Sequence, residues 1–132
     1  MNIFYLDKNP ETCARMHVDK HVVKMIVEYA QLLSTAHRMI DGKQVEGRSK
    51  TWILENPNKE AIIYKAVHYY HPSAVWARET KEQYLWLYDL FKKLGQEYTH
   101  RYGKVHSTNF KLNQLLSDAP VNIKQEGWRE PP

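Results

Sequence analysis

NPETCARMHVDKHVVKMIVEYAQLLSTAHRMIDG, residues 9–42, is the stretch whose reading decides the fold. Asn9-Pro10-Glu11 opens it as a helix start, with Asn as N-cap, Pro at the first helical position and an acid in the first turn. The pattern runs to about Met39 and stops at Asp41-Gly42, a turn pair. One helix of about 30 residues is predicted, long enough to be the spine of the fold. Its apolar set is Val18, Val22, Val23, Met25, Ile26, Val27, Tyr29, Ala30, Leu32 and Leu33, so most of it must be enclosed.

Against that background stands a polar stripe: His17, His21, Lys24, Glu28, Gln31 and Thr35. Steps of four and three residues alternate along it, so at about 100° per residue all six side chains share one narrow sector. The row is either a solvated seam or the floor of a cleft. Lys24 and Glu28 lie four apart and can pair across one turn, worth about 0.3–0.5 kcal/mol. Alternatively, a lysine partly desolvated by Val, Met and Tyr neighbours loses proton affinity and gains nucleophilicity, with a carboxylate one turn away to move protons. His17 and His21 have the spacing of two imidazoles sharing a metal, and a hydrolytic metal site could add a distant ligand such as His71 or His106. No third ligand is evident on the helix, where Asp19 points to the apolar side, and no metal or cofactor is assigned. Two donors facing a phosphate or a base is the preferred reading.

Outward from this helix, residues 2–6 are short and apolar and read as an extended segment. Residues 41–58 are polar and turn-rich, with Trp52, Ile53 and Leu54 pinning them to the body. A shorter helix is predicted from Asn58 to Tyr69, interrupted by His71-Pro72 because the residue before proline leaves the helical region. Ser73 to Glu79 makes one or two turns. Thr80-Lys81-Glu82-Gln83 has the form of a capping box and starts a second long helix, which buries Leu85, Tyr88, Phe91, Leu94 and Tyr98 and ends at Gly103. A last short helix spans Asn109 to Leu116, capped by Ser107 or Thr108, before an irregular tail. The expected architecture is mainly α: a compact single-domain helical bundle over residues 1–132, with two long helices and a short extended N-terminal segment.

The chain has 132 residues, enough for a core without disulfides, and its single Cys13 excludes an internal bridge and a multi-cysteine zinc site. No run approaches the roughly 18 apolar residues of a membrane span, so no membrane is involved and a cytoplasmic location is expected, the host cytoplasm for a viral protein. The net charge of +4 and pI near 9.1 permit a phosphate-bearing partner. Two further clusters suit one. His68-Tyr69-Tyr70-His71-Pro72-Ser73-Ala74-Val75-Trp76-Ala77-Arg78 crowds rings at a proline-bent junction that could stack on a base, with Arg78 for phosphate. His100-Arg101-Tyr102-Gly103-Lys104-Val105-His106 gathers cations that serve either a helix dipole or an anionic ligand. Phosphate-binding glycine loops, nucleophile elbows and dinucleotide fingerprints are absent.

A resemblance adds to this reading. Asp19-Lys20-His21-Val22-Val23-Lys24, Val27-Glu28, Gln31-Leu32-Leu33, then His71-Pro72, Trp76, Arg78 and the pair Glu97-Tyr98 resemble segments of small bacterial and viral helical proteins, the pyrimidine dimer DNA glycosylases of endonuclease V type. The resemblance implies a helical domain that binds duplex DNA with a damaged or modified base and cleaves a base–sugar bond, with or without lyase activity. It matches Glu28 to the family's essential glutamate. In that family the amine of a small N-terminal residue attacks the sugar. Here Met1 precedes Asn2, whose bulk disfavours Met removal, so the amine falls to Lys24 or Lys20, or there is no lyase step. Glu28 and Lys24 form the expected catalytic pair. Lys20, His17, His21 and Gln31 line the same cleft, and His71, Trp76, Arg78, Arg101, Lys104 and His106 grip the extruded base and the phosphates. The alternative is a non-catalytic module that binds a nucleic acid or nucleotide through the same residues.

Overall fold

The computed structural model describes residues 2–47 and 49–132; Met1, on which the question of a terminal amine turns, lies outside them. The chain is mainly helical, with one small antiparallel hairpin. The helices are α1 (Pro10–Arg15), α2 (Asp19–Asp41), α3 (Pro57–Ile62), α4 (Pro72–Ala77), α5 (Lys81–Tyr102) and α6 (Ser107–Leu116). The hairpin strands are β1 (Lys43–Glu46) and β2 (Lys50–Ile53), paired from Lys43 opposite Ile53 to Glu46 opposite Lys50.

The expected single helix from residue 9 is two helices. Asn9 does cap the first, its side chain accepting from the amides of Glu11 (2.9 Å) and Thr12 (3.1 Å). That helix then stops at Arg15, and Val18 is extended at φ −71° and ψ 156°. The physical cause is His17. Its Nδ1 donates to the Cys13 carbonyl at 2.8 Å, one of the orphan acceptors at the end of α1, so the chain leaves the helical path to let the ring fold back. Its Nε2 accepts from the Tyr29 hydroxyl at 2.8 Å, and that oxygen in turn accepts from the Phe4 amide at 3.2 Å. Cys13 Sγ donates to the Phe4 carbonyl at 3.0 Å and completes a closed knot. It fixes the extended segment at residues 2–6, α1 and α2 against each other.

The predicted helix 58–69 ends at Ile62 instead. Arg38, in the last turn of α2, is 2% exposed, and its guanidinium donates to the carbonyls of Trp52, Glu60, Ile63 and Tyr64 and to the Glu60 carboxylate. Carbonyls 60, 63 and 64 thus serve Arg38, and Ile63 turns extended at ψ 135°. Thr35 then fastens the next stretch, its hydroxyl accepting from the Val67 amide at 3.2 Å. The same guanidinium anchors β2, where Trp52 and Leu54 are buried and Ile53, expected to pin this region, faces solvent.

On α5 the Thr80 hydroxyl caps the Gln83 amide, and Gly103 closes the helix at φ 72°, where a side chain would be strained. Its buried face is Tyr84, Leu87, Leu90, Phe91 and Leu94; Leu85 is exposed and Tyr88 and Tyr98 are only half-buried. This face packs on both α1 and α2, and one hydrophobic cluster joins the helices. Gly95 admits α6, since a Cβ there would meet the Asn109 side chain at 2.3 Å. Helix α6 starts at Ser107, capped by His106 rather than by Ser107 or Thr108. Among the described residues no helix is long and apolar enough to cross a membrane.

His37 sits inside this packing, 1% exposed and hydrogen-bonded to the Tyr84 hydroxyl at 2.7 Å. Burial, and then the charge of Lys59, lowers its pKa to about 4. The unfolded chain therefore binds the extra proton between pH 6.5 and 4, and stability falls as pH drops through that window, by about 3 kcal/mol from this group when complete. Denaturant unfolding of wild type and His37→Gln at pH 7 and pH 4.5 checks it. The variant is less stable at pH 7 and shows a shallower loss on acidification.

Candidate functional site

The stripe begins at His21, not His17. His17 lies in the break between α1 and α2, 2% exposed, with both ring nitrogens engaged and its pKa lowered by burial. Its ring is committed to the scaffold, joining the end of α1 to Tyr29 of α2. Among the described residues no group of three or more His, Cys, Asp or Glu side chains could hold a metal ion. His21 is half-buried with its ring against Phe4, centroids 4.6 Å apart. Lys20 and Lys24 are exposed, which corrects the expected apolar enclosure of Lys24. Glu28 and Gln31 are half-buried, and Thr35 is buried on Val67. Lys24, Glu28 and Gln31 share one face of α2, about 10 Å from first to last.

The stripe is bordered at both ends. At its N-terminal end, Arg101 of α5 reaches the carbonyls of His17 (2.9 Å) and Arg15 (3.1 Å) and the carboxylates of Asp19 (3.0 Å) and Glu97 (2.9 Å). Asp19 is accordingly exposed, not turned to the apolar side. At the C-terminal end, Thr35 holds Val67, and Tyr64 on the same segment meets the Thr108 hydroxyl at 3.0 Å. The segment 64–67 thus joins α2 to the start of α6, and the link that precedes α6 carries exposed Lys104 and half-buried His106. His106 Nδ1 accepts from the Thr108 amide at 3.1 Å, which leaves the proton of the neutral ring on Nε2. Burial lowers its pKa. Its ring stands edge-on to Tyr98 at 4.9 Å, and Tyr98 meets Tyr102 at 5.0 Å.

The His-Pro cluster is mostly scaffold. Trp76 is fully buried and donates to the Arg129 carbonyl at 2.8 Å, so it grips no base. His71 is the N-cap of α4, accepting from the Ser73 amide at 3.1 Å. Arg78 is half-buried on the Tyr69 carbonyl at 2.6 Å, closing the turn rather than reaching out. Of the rings expected at this junction, that turn leaves Tyr70 at the surface, 70% exposed, beside Tyr69 at 4.7 Å. His68 enters the turn at φ 46°, a conformation uncommon for a side-chain-bearing residue and enriched where a site is held under strain.

No family model, curated protein or solved structure matches the chain. The site is therefore read from its own geometry. The structure brings together a half-buried carboxylate, an exposed amine and an amide on α2. The end of α5 and the link to α6 carry exposed Lys104, half-buried His106 and the tilted or edge-on rings of Tyr98, Tyr102 and His106.

The split between scaffold and surface is measurable. Tyr29→Phe leaves His17 Nε2 and the Phe4 amide without their partner, an expected loss of about 1–3 kcal/mol. Lys24→Ala, at an exposed position, should stay within about 0.5 kcal/mol of wild type. Urea denaturation of the two variants decides it.

Proposed function

We propose that the chain is a DNA-acting N-glycosylase whose reacting groups are Glu28 and Lys24. The observation that carries this is Glu28 itself: a half-buried carboxylate on the outward face of a helix whose opposite face is buried, flanked by exposed Lys24 and half-buried Gln31. A carboxylate so placed can take a proton from water as its oxygen attacks C1′ of the sugar. The C1′–N bond breaks, its electron pair leaves with the base, and the proton taken up by Glu28 passes to the departing base nitrogen through solvent, restoring the carboxylate. Lys24 is solvated, so this hydrolytic route is favoured over attack by its amine; its ammonium then serves the flanking phosphate. Lys20, Lys104 and His106 hold the strand, and the Tyr98–Tyr102 and Tyr69–Tyr70 rings offer faces for an unstacked base. Damaged or modified duplex DNA in the cytoplasm is the substrate this reading requires.

A second reading, a non-catalytic nucleic-acid or nucleotide module, draws on the same exposure of Lys24, since a solvated amine can contact phosphate without any chemistry.

Ultraviolet-damaged and modified-base duplexes separate the two. Wild type releases base, Glu28→Gln releases it at least about a hundredfold more slowly, and Lys24→Ala loses affinity more than turnover. Base release without strand nicking or borohydride trapping marks the hydrolytic route. Absence of product with every duplex, with salt-sensitive binding retained in both variants, overturns the enzyme reading in favour of the module.

A further inference from the structure

Near its N-terminus α5 presents Glu82, Leu85, Trp86 and Asp89, spaced as i, i+3, i+4 and i+7 on one face. Opposite them stand Lys8 and Pro10, ahead of and at the start of α1, and Trp128 of the tail. Between these walls lies an open groove of about 660 Å³. Its aromatic lining is Trp86 and Trp128, ring centroids 6.1 Å apart; fully buried Trp76 backs them at 6.1 and 5.6 Å, and Tyr5 stands edge-on to Trp86 at 5.2 Å.

The groove is preformed. Trp86 Nε1 donates to the Lys8 carbonyl at 2.8 Å, which fixes one ring. Trp128 is fixed from both sides: the Thr80 hydroxyl donates to the Gly127 carbonyl at 2.6 Å, and the Arg129 amide donates to Gln83 at 3.0 Å. Arg129 then grips the Glu79 carboxylate with two nitrogens at 2.7 and 2.8 Å. Trp128 nevertheless keeps 37% of its surface open. An indole held this firmly and left uncovered loses little freedom when a ligand arrives.

Its charge opposes that of the chain. Glu82 and Asp89 are exposed, about 10 Å apart along the helix, and neither makes an ion pair among the described residues. Asp7 and Glu130 add to the same field: after desolvation, their charges raise the pKa of Tyr5. Two carboxylates thus line the groove against one lining cation, Lys8, with Asp7 and Glu130 acting on the neighbouring Tyr5, in a protein of net charge +4. A phosphate is repelled here; an ammonium is attracted both by the carboxylates and by the indole faces.

We propose that the Trp86–Trp128 groove binds an alkylammonium ligand, a linear diammonium whose methylene chain lies over Leu85 and Trp86 and whose two amines meet Glu82 and Asp89. The site is independent of Glu28 and of the DNA reading.

Titration with hexane-1,6-diammonium at constant ionic strength, followed by tryptophan fluorescence and calorimetry, tests it. Saturable binding in the millimolar range or tighter is expected, weakened about tenfold or more both in Trp128→Ala and in the double variant Glu82→Gln/Asp89→Asn, and tightened in Lys8→Gln. The double variant changes only exposed carboxylates, so its fold is safe if the tail change proves disruptive. Hexan-1-ol serves as the neutral control. No saturation with the diammonium, equal binding of the alcohol, or unchanged affinity in the double variant overturns the proposal.

Discussion

The ring of His17, held between the Cys13 carbonyl and the Tyr29 hydroxyl, is the constraint on which the rest of the arrangement depends. It ends α1, turns the chain into α2 and, through Tyr29, secures the amide of Phe4. The backbone it bends also supplies the carbonyls of Arg15 and His17 that receive Arg101, so the end of α5 is positioned by the same break. A neutral imidazole suits this role because it donates from one nitrogen and accepts at the other. An unpartnered buried nitrogen would cost about 1–3 kcal/mol. The His17 knot lies at one end of α2 and the Arg38 clamp at the other, which fixes the two borders of the polar face between them.

What was legible in the sequence was what is decided locally. The Asn9 cap, the Thr80 cap, the Gly103 stop and the apolar run of α2 each depend on residues within a few positions, and each is found in the structure. What was not legible was decided by partners distant in sequence. The break at residues 16–18 depends on Tyr29 and Phe4, and the end of α3 depends on Arg38, more than twenty residues earlier. Propensity favours continuing both helices; buried hydrogen bonds to carbonyls outweigh it.

The candidate site divides the same way. His17, His71, Trp76, Arg78 and Arg101 have the hydrogen-bonding capacity that binds ligands, and the same capacity lets them satisfy backbone groups in the interior. Residue type could not tell the two uses apart; the backbone partners of these side chains do. His106 stands between them, capping α6 through Nδ1 while its other nitrogen keeps a proton to donate. Conversely, Tyr70 and Trp128 became visible only once a strained turn and a tethered tail were seen to hold them at the surface. The Tyr-Tyr pair ahead of His-Pro was the one available signal for the first.

Charge then separates two surfaces that a net value of +4 conceals. The α2 face carries exposed Lys20 and Lys24 beside half-buried Glu28, with Asp19 at its N-terminal border paired to Arg101. The indole groove concentrates carboxylates about a single lysine. A polyanion is disfavoured at the groove, where Glu82 and Asp89 are exposed. Within the α2 face the same physics orders the chemistry. Attack by an amine is favoured at a lysine enclosed by apolar groups, and Lys24 is exposed. A carboxylate needs only to be aimed at a water and a C1′ carbon, and half-burial at Glu28 allows both. If the face is catalytic, its reaction is hydrolysis led by Glu28, with Lys24 holding the phosphate that presents the sugar.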